Sequence, residues 1–97
     1  MTFKEHCTRC KNILGNEFDY VHKWLDEFHG TPKYKTRHRK VRHHLKGIED
    51  VRDMWGDDAA EAATLHIVDD LKVGEDISAD ESWIAKNEKH YVELGYW

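Results

Sequence analysis

Two histidines in this sequence are each followed by an aspartate four positions later: His22 precedes Asp26, and His66 precedes Asp70. In an α-helix, residues four apart lie on the same face, so each pair can present an imidazole and a carboxylate together. Both groups can ligate one metal ion, or the carboxylate can orient the imidazole from behind. The spacing therefore indicates metal chemistry, although a half-buried histidine bonded to a nearby aspartate is also an ordinary structural pair.

Further histidines lie in a basic stretch between these two pairs. On a helical projection of about 100° per residue, with Val41 at the centre of the apolar face, His38 and His44 flank that face. His43 points nearly away from it and is predicted to be solvated or to contact a second subunit. The predicted metal ligands are therefore His22, Asp26, His38, His44, His66 and Asp70.

The predicted donor set mixes imidazole nitrogens with carboxylate oxygens. This mixture favours Zn, Mn or Fe over Ca or Mg, because imidazole is a softer ligand than water or a carbonyl oxygen. A divalent metal of this kind is the expected cofactor.

Charge is distributed unevenly along the chain. Residues 33 to 46 carry seven Lys or Arg and no acid, whereas residues 47 to 81 carry twelve acids against two bases. One interpretation is a basic helix that packs beside acidic helices, in the same chain or in a second subunit. The other is a positively charged wall for an anionic ligand.

Several side chains of the basic stretch suit a phosphorylated ligand. Guanidinium groups bind phosphate through paired hydrogen bonds, and histidines can be protonated near neutral pH. Arg42 lies one helical turn from His38, so it can reach an anion bound beside the histidines. The predicted ligand-binding residues are Arg37, Arg39, Arg42 and His43.

Apolar residues recur at three- and four-residue spacing through most of the sequence. This pattern predicts helices at about 3–14, 16–28, 36–55 and 57–73, and a capping-box pattern at 78–81 predicts the start of a fifth. Strand-like alternation is absent, and Gly47 inside the third helix predicts a close approach by another helix or a ligand. We therefore predict an all-α fold, a compact bundle of four to five short helices forming one domain over residues 1–97.

The composition fits a small folded protein. The 97 residues have a mean hydropathy of -0.86, yet four Trp, four Tyr and three Phe are enough large side chains to close a core. A chain this short leaves little core for a deep cavity. The site is therefore predicted to be a shallow cleft between helices or at a subunit contact.

The sequence also limits where the protein works and what it binds. No stretch has the length and apolarity of a membrane span, the N-terminus lacks the apolar region of a secretory signal, and two cysteines are too few for a secreted disulfide framework. The expected location is cytoplasmic, with no membrane partner. A net charge of -4 with one short basic run argues against general binding to duplex nucleic acid.

Three segments carry a resemblance to known proteins. The run RHRKVRHHLKGI at 37–48, preceded by HKWLD at 22–26 and followed by HIVDD at 66–70, resembles a family of small histidine-rich proteins from bacteria and their phages. The resemblance covers about half of the chain and implies a small helical fold without an established activity. The order of His, His-His and Asp is also loosely similar to the HD phosphohydrolases, helical metal enzymes that hydrolyse phosphate esters of nucleotides. The His-Asp dipeptide of that family does not occur in this sequence.

The leading hypothesis is a metal-binding helical protein that acts on, or holds, a phosphorylated small molecule such as a nucleotide. In its catalytic form, a metal-dependent nucleotide phosphohydrolase, the metal polarises a phosphoryl oxygen and lowers the pKa of a bound water. Arg42 then stabilises the developing charge, and a histidine or Asp69 moves protons.

The alternative is a non-enzymatic phage or bacterial binding protein, either a nucleotide sponge or a protein inhibitor, that works as a homo-oligomer. In that case Arg37, Arg39 and Arg42 matter more than the aspartates. A third hypothesis is an interaction module that binds a protein partner and whose histidines are structural.

Overall fold

The first helix is closed at both ends by local interactions. The computed structural model describes residues 2–29, 31, 38–74 and 79–96, and α1 spans Phe3–Leu14. Thr2 and Glu5 form a capping box, and Gly15 ends the helix in the left-handed conformation at a φ of 85°. The predicted bounds of this helix are confirmed.

The second helix is shorter than predicted. α2 spans Asp19–Leu25, and its N-cap Phe18 adopts a left-handed backbone with a φ of 51°. This conformation interrupts any helix that would start at residue 16, and the Asn16 side chain accepts a hydrogen bond from the Phe18 amide. Residues 26–29 follow as turns, so Asp26 lies at the end of α2 rather than inside it.

The prediction of one long third helix at 36–55 is wrong, because the described part of this segment contains two helices. α3 spans Arg39–Arg42 and α4 spans Leu45–Trp55. His44 caps α4 in an extended conformation, with its Nδ1 accepting a hydrogen bond from the Gly47 amide 3.1 Å away. Its Nε2 donates to the carbonyl of Val41, at 2.9 Å.

The close approach predicted at Gly47 is confirmed. A Cβ atom at this position would lie 1.9 Å from the carbonyl oxygen of Arg42, which is far inside van der Waals contact. The end of α3 can therefore fold back onto the first turn of α4 only because residue 47 has no side chain.

α5 spans Asp57–Gly74 and lies at the centre of the fold. Four alanines on this helix are buried, at positions 59, 60, 62 and 63, and Ile67 and Leu71 continue the core. Small side chains allow neighbouring helices to pack closely, and α1, α2 and α4 all contact α5. The predicted position of this helix is confirmed.

The C-terminal part contains two short elements, whereas a single fifth helix was predicted there. A 3₁₀ turn at Glu81–Trp83 is capped by the Asp80 side chain, and α6 spans Glu88–Glu93. The fold is all-α, with no strand in the described residues. None of the helices in these segments has the length and apolarity needed to span a membrane.

We predict that Gly47→Ala destabilises the protein, because the new methyl group forces the Arg42 carbonyl and the turn between α3 and α4 to move. The expected loss is about 1–3 kcal/mol in the free energy of unfolding, measured by urea denaturation. Glu49→Ala, at an exposed position of the same helix, is the control and should change the free energy by less than about 0.5 kcal/mol. Equal stability of both variants would contradict this account of Gly47.

Candidate metal centre

α5 supplies two neighbouring polar groups to the interior of the fold. His66 and Asp70 lie one helical turn apart and are both buried, at 0% and 4% exposure. The Nε2 atom of His66 is 3.2 Å from Oδ2 of Asp70. The helical spacing alone therefore brings this imidazole and this carboxylate together.

Two further groups reach the same point from other parts of the chain. Asp26 comes from the end of α2, and His43 comes from the break between α3 and α4. Nε2 of His43 lies 3.2 Å from Oδ2 of Asp70 and 3.3 Å from Oδ1 of Asp26. We call Asp26, His43, His66 and Asp70 the His/Asp cluster.

The imidazole nitrogens of the His/Asp cluster also face each other. Nε2 of His66 is 3.2 Å from Nε2 of His43 and 3.4 Å from Oδ2 of Asp26. One ligand atom from each of the four residues lies within 4.8 Å of the others. The cluster can therefore surround a single ion.

Both carboxylates of the cluster receive hydrogen bonds from histidines around them. His6 donates through Nε2 to Oδ1 of Asp70, at 3.1 Å, and His38 donates through Nε2 to Oδ1 of Asp26, at 3.0 Å. Hydrogen bonds from such neighbours orient a ligating carboxylate and are a common feature of metal sites. His6 and His38 thus support the cluster from outside it.

His22 contacts the far side of the His66 ring. Its Nδ1 lies 2.8 Å from Nδ1 of His66, and its Nε2 lies 3.0 Å from the carbonyl oxygen of Glu17. His22 is fully buried, with 0% exposure. It therefore occupies the side of His66 opposite the carboxylates.

A second group, His6, His22 and His66, also brings three nitrogen atoms within 4.8 Å of one another. The rings of His6 and His66 are stacked, however, with centroids 3.7 Å apart and an angle of 14° between their planes. A metal ion binds an imidazole nitrogen close to the plane of the ring, where the lone pair points. Two parallel stacked rings cannot both meet this condition for one ion, so the His/Asp cluster fits a metal better.

The electrostatics of the cluster are those of a buried carboxylate, Asp70, and a partly buried one, Asp26, surrounded by histidines. Burial acts to raise the pKa of Asp26 and of Asp70, but hydrogen bonds from the surrounding histidines outweigh it and hold both pKa values well below the usual range. Burial acts to lower the pKa of His66, but its hydrogen bonds to Asp26 and Asp70 raise it overall. These contacts with the carboxylates therefore favour the protonated form of the His66 ring.

The cluster contains three of the six predicted ligands, namely Asp26, His66 and Asp70. His22 and His38 lie beside it and contact its members. His44 is buried, but both of its nitrogens are occupied in capping α4. Its inward orientation was predicted correctly, and its contacts belong to the turn rather than to the cluster.

The predicted orientation of His43 is wrong. His43 is 1% exposed and lies inside the cluster, although the helical projection directs it outward. That projection assumes a continuous helix, whereas the backbone of His43 has a φ of -82° and a ψ of 59° at the break after α3. The break turns this side chain inward.

The residues predicted to bind an anion or to take part in catalysis lie in different surroundings. Nη1 of Arg42 donates to the Trp24 carbonyl at 2.7 Å, and its guanidinium lies over the rings of Trp24 and Phe28. Asp69 accepts a hydrogen bond from Nε of Arg9, at 3.1 Å. Arg37 lies outside the described residues.

Arg39 lies next to the cluster and at the solvent boundary. Its Nη2 is 3.5 Å from Oδ1 of Asp70, and its side chain is 35% exposed. The Arg39 side chain therefore contacts both the buried carboxylate of Asp70 and the solvent.

Sequence reasoning gave no role to His6. It lies four residues before Cys10, and both are buried on the inner face of α1. Its place on an apolar helical face could have indicated that His6 is buried. Its partner Asp70 could not be identified in the same way, because it is 64 positions away in the chain.

An open cleft connects the His/Asp cluster with solvent. Its volume is about 520 Å³, and it is lined by Thr2, Phe3, Asp26, His29, His38, Arg39 and Asp70. Of the described residues that line the cleft, only Asp26 and Asp70 are acidic, and both belong to the cluster. The rest of the lining is neutral or basic, so the cleft suits an anion that approaches a bound metal.

Comparison with known proteins gives a family and no activity. The model of a domain of unknown function, DUF6915, matches residues 1–95. No curated protein and no solved structure matches the chain. Any statement about function therefore has to come from the site itself.

The buried position of His22 leads to a prediction about pH. Burial, together with the nearby charges of His66 and His6, lowers the pKa of His22 to about 4. Between pH 6.5 and pH 4 the unfolded chain binds a proton at His22 that the folded protein does not, so stability falls as the pH falls. Over this interval, chelator-treated wild-type protein should lose about 3 kcal/mol more of its unfolding free energy than His22→Asn.

Urea denaturation of the two proteins across this pH range measures the difference. His29→Asn is the matched control, because His29 is exposed and should leave the slope of the wild-type protein unchanged. Parallel pH profiles for wild type and His22→Asn would show that His22 does not remain neutral in the folded state.

Proposed function

We propose that this chain, which belongs to the DUF6915 family of unknown function, binds one divalent transition metal in the His/Asp cluster and uses it to act on a phosphorylated small molecule. The observation that carries the proposal is the mutual spacing of the four ligand residues. Five distances between their nitrogen and oxygen atoms lie between 3.2 and 3.4 Å.

With Oδ1 of Asp26 as the ligand atom, four of these distances match edges of one tetrahedral metal site. Bonds of about 2.0–2.1 Å from a metal to nitrogen or oxygen place neighbouring ligand atoms about 3.3–3.4 Å apart. Small rotations of the side chains are therefore enough for the cluster to bind such an ion. The Asp26 carboxylate can ligate through either oxygen, since Oδ1 lies 3.3 Å from Nε2 of His43 and Oδ2 lies 3.4 Å from Nε2 of His66.

Charge supports the same conclusion. A buried carboxylate beside a partly buried one is costly unless cations compensate the two charges, and a divalent ion supplies two positive charges. The pair of imidazoles selects a transition metal such as Zn, Mn or Fe over Ca or Mg. Burial opposes protonation of His66 but its hydrogen bonds to Asp26 and Asp70 raise its pKa overall, so metal binding, which needs the neutral imidazole, would compete with a proton at this ring.

The cleft supports an anionic substrate. Arg39 and Asp70 both line it, with Nη2 of Arg39 3.5 Å from Oδ1 of Asp70, and the exposed His29 packs edge-on against His38 with ring centroids 4.9 Å apart. A bound metal would polarise a phosphoryl oxygen and lower the pKa of a water molecule. Arg39 can then donate hydrogen bonds to a second phosphoryl oxygen, as guanidinium groups commonly do.

The geometry favours Arg39 over Arg42 for this contact. The guanidinium of Arg42 is held between Trp24, Phe28 and the carboxylate of Glu27, 3.4 Å away. The catalytic roles of Arg42 and Asp69 stay predictions from the sequence. In our proposal Asp69 holds α1 against α5 through Arg9.

We predict that protein purified without nickel resin or chelator contains about one equivalent of Zn, Mn or Fe, measured by elemental mass spectrometry. Asp70→Asn should lose most of this metal, because it removes a buried charge from the cluster. Asp53→Asn, an exposed position on α4, should retain it. Metal-free wild-type protein that stays folded and does not take up added zinc would overturn the proposed function.

A second prediction concerns substrate. The metal-loaded protein should hydrolyse a small phosphate ester such as p-nitrophenyl phosphate or its diester, and Arg39→Gln should raise KM about tenfold through loss of a charged hydrogen bond. Arg52→Gln is the control, since Arg52 pairs with Asp57 on the surface. If a bound nucleotide is recovered unchanged from the metal-loaded protein, the binding-protein alternative is favoured instead.

A further inference from the structure

His22 determines which nitrogen of His66 can face the metal. We propose that His22 is a positioning residue, which together with the Glu17 carbonyl fixes a hydrogen on Nδ1 of His66 and leaves Nε2 for the ion. This inference rests on the proposed metal site. It assigns His22 a role different from that of a metal ligand, which the sequence predicted.

The argument starts at the Glu17 carbonyl, which can only accept a hydrogen bond. Nε2 of His22 lies 3.0 Å from this oxygen and therefore carries a hydrogen. A neutral imidazole has one N–H group, so Nδ1 of His22 is an acceptor. The neighbouring Nδ1 of His66, 2.8 Å away, must then be the donor.

The arrangement of the two rings fits this hydrogen bond. Their planes differ by 21°, and their centroids are 5.1 Å apart. This separation is close to the 2.8 Å between the two nitrogens plus the distance from each nitrogen to its own ring centre. The rings therefore face each other edge to edge and nearly in one plane, which aligns the N–H group of one with the lone pair of the other.

The same distance excludes an ion between the two rings. Two imidazoles that bind one metal in a line have nitrogens about 4 Å apart, because each bond is about 2.0–2.1 Å long. The observed 2.8 Å is shorter by more than an ångström. His22 is also occupied at its other nitrogen by Glu17, so a second ion has no free donor on this residue.

The consequence appears at the other end of the His66 ring. With the hydrogen fixed on Nδ1, Nε2 of a neutral His66 presents a lone pair to Oδ2 of Asp70 and Oδ2 of Asp26, at 3.2 and 3.4 Å. A lone pair facing two carboxylates is repulsive unless a cation lies between them. The chain from Glu17 through His22 to His66 therefore prepares a cation site.

His66 is distinguished in this way from the other imidazole of the cluster. Nδ1 of His43 is buried and has no hydrogen-bond partner within the described residues. Only His66 thus has both nitrogens fixed, one by His22 and one by the cluster. We conclude that the ring of His66 is held more firmly than that of His43.

Nitrogen-15 NMR of the histidine rings tests the proposal directly, because it reports which ring nitrogen carries the hydrogen. In zinc-loaded protein we expect His22 as the Nε2–H tautomer, and His66 with a hydrogen on Nδ1 and the metal on Nε2. In chelator-treated protein the tautomer of His22 should be the same. A hydrogen on Nδ1 of His22, or a metal-induced shift at either of its nitrogens, would overturn the assignment.

Two substitutions separate positioning from a merely structural role. His22→Asn retains an acceptor oxygen near the position of Nδ1, whereas His22→Leu retains bulk without any acceptor. We expect His22→Leu to weaken zinc binding about 10- to 100-fold and His22→Asn to recover much of this loss, with helical circular dichroism unchanged. X-ray absorption should count the same number of zinc-bound imidazoles in wild type and in His22→Asn, and one imidazole fewer in His22→Asn would overturn the proposal.

Failure of this inference is distinguishable from failure of the proposed function. Wild-type protein without zinc affinity would remove the metal site, while the tautomer of His22 can still be read in the same sample. Zinc bound normally by His22→Leu would retain the metal site and remove the positioning role.

Discussion

Two neighbouring carboxylates, the buried Asp70 and the partly buried Asp26, are the feature on which the rest of this structure depends. Asp70 lies in the interior of a chain of only 97 residues, where an uncompensated charge costs several kcal/mol, and the Asp26 side chain, 28% exposed, lies beside it at the edge of that interior. The fold answers with four histidines around them, namely His6, His38, His43 and His66. Such a concentration of imidazoles is explained if the carboxylates serve a metal ion.

The side chains that surround these carboxylates are brought together partly at points where the helices are interrupted. α2 ends before Asp26, and the helix is interrupted at His43 and His44. Asp26 and His43 therefore lie outside regular helix, and both turn toward α5. The break is possible because Gly47 leaves room for the Arg42 carbonyl. Packing of α2 and α4 against α5, with its four buried alanines, stabilises this interrupted arrangement.

Much of the fold could be predicted because its signals are local. Capping residues, apolar spacing and glycine positions gave α1 and α5 with nearly correct bounds. The pairing of His66 with Asp70 was equally accessible, since both lie on one uninterrupted helix. The prediction of a single helix at 36–55 was wrong because the His44 side chain caps the start of a new helix. Apolar spacing does not reveal such a cap.

The sequence by itself determined an all-α fold, the presence of imidazole and carboxylate donors, and the residues that a single helix brings together. Only the tertiary structure decided that His43 and not His44 enters the cluster, that His6 bonds to Asp70 across 64 positions, and that His22 lies behind His66. The physical reason is that helical periodicity fixes the direction of a side chain only while the helix continues. Beyond a break, and between helices, side-chain direction depends on backbone angles and packing that involve the whole chain.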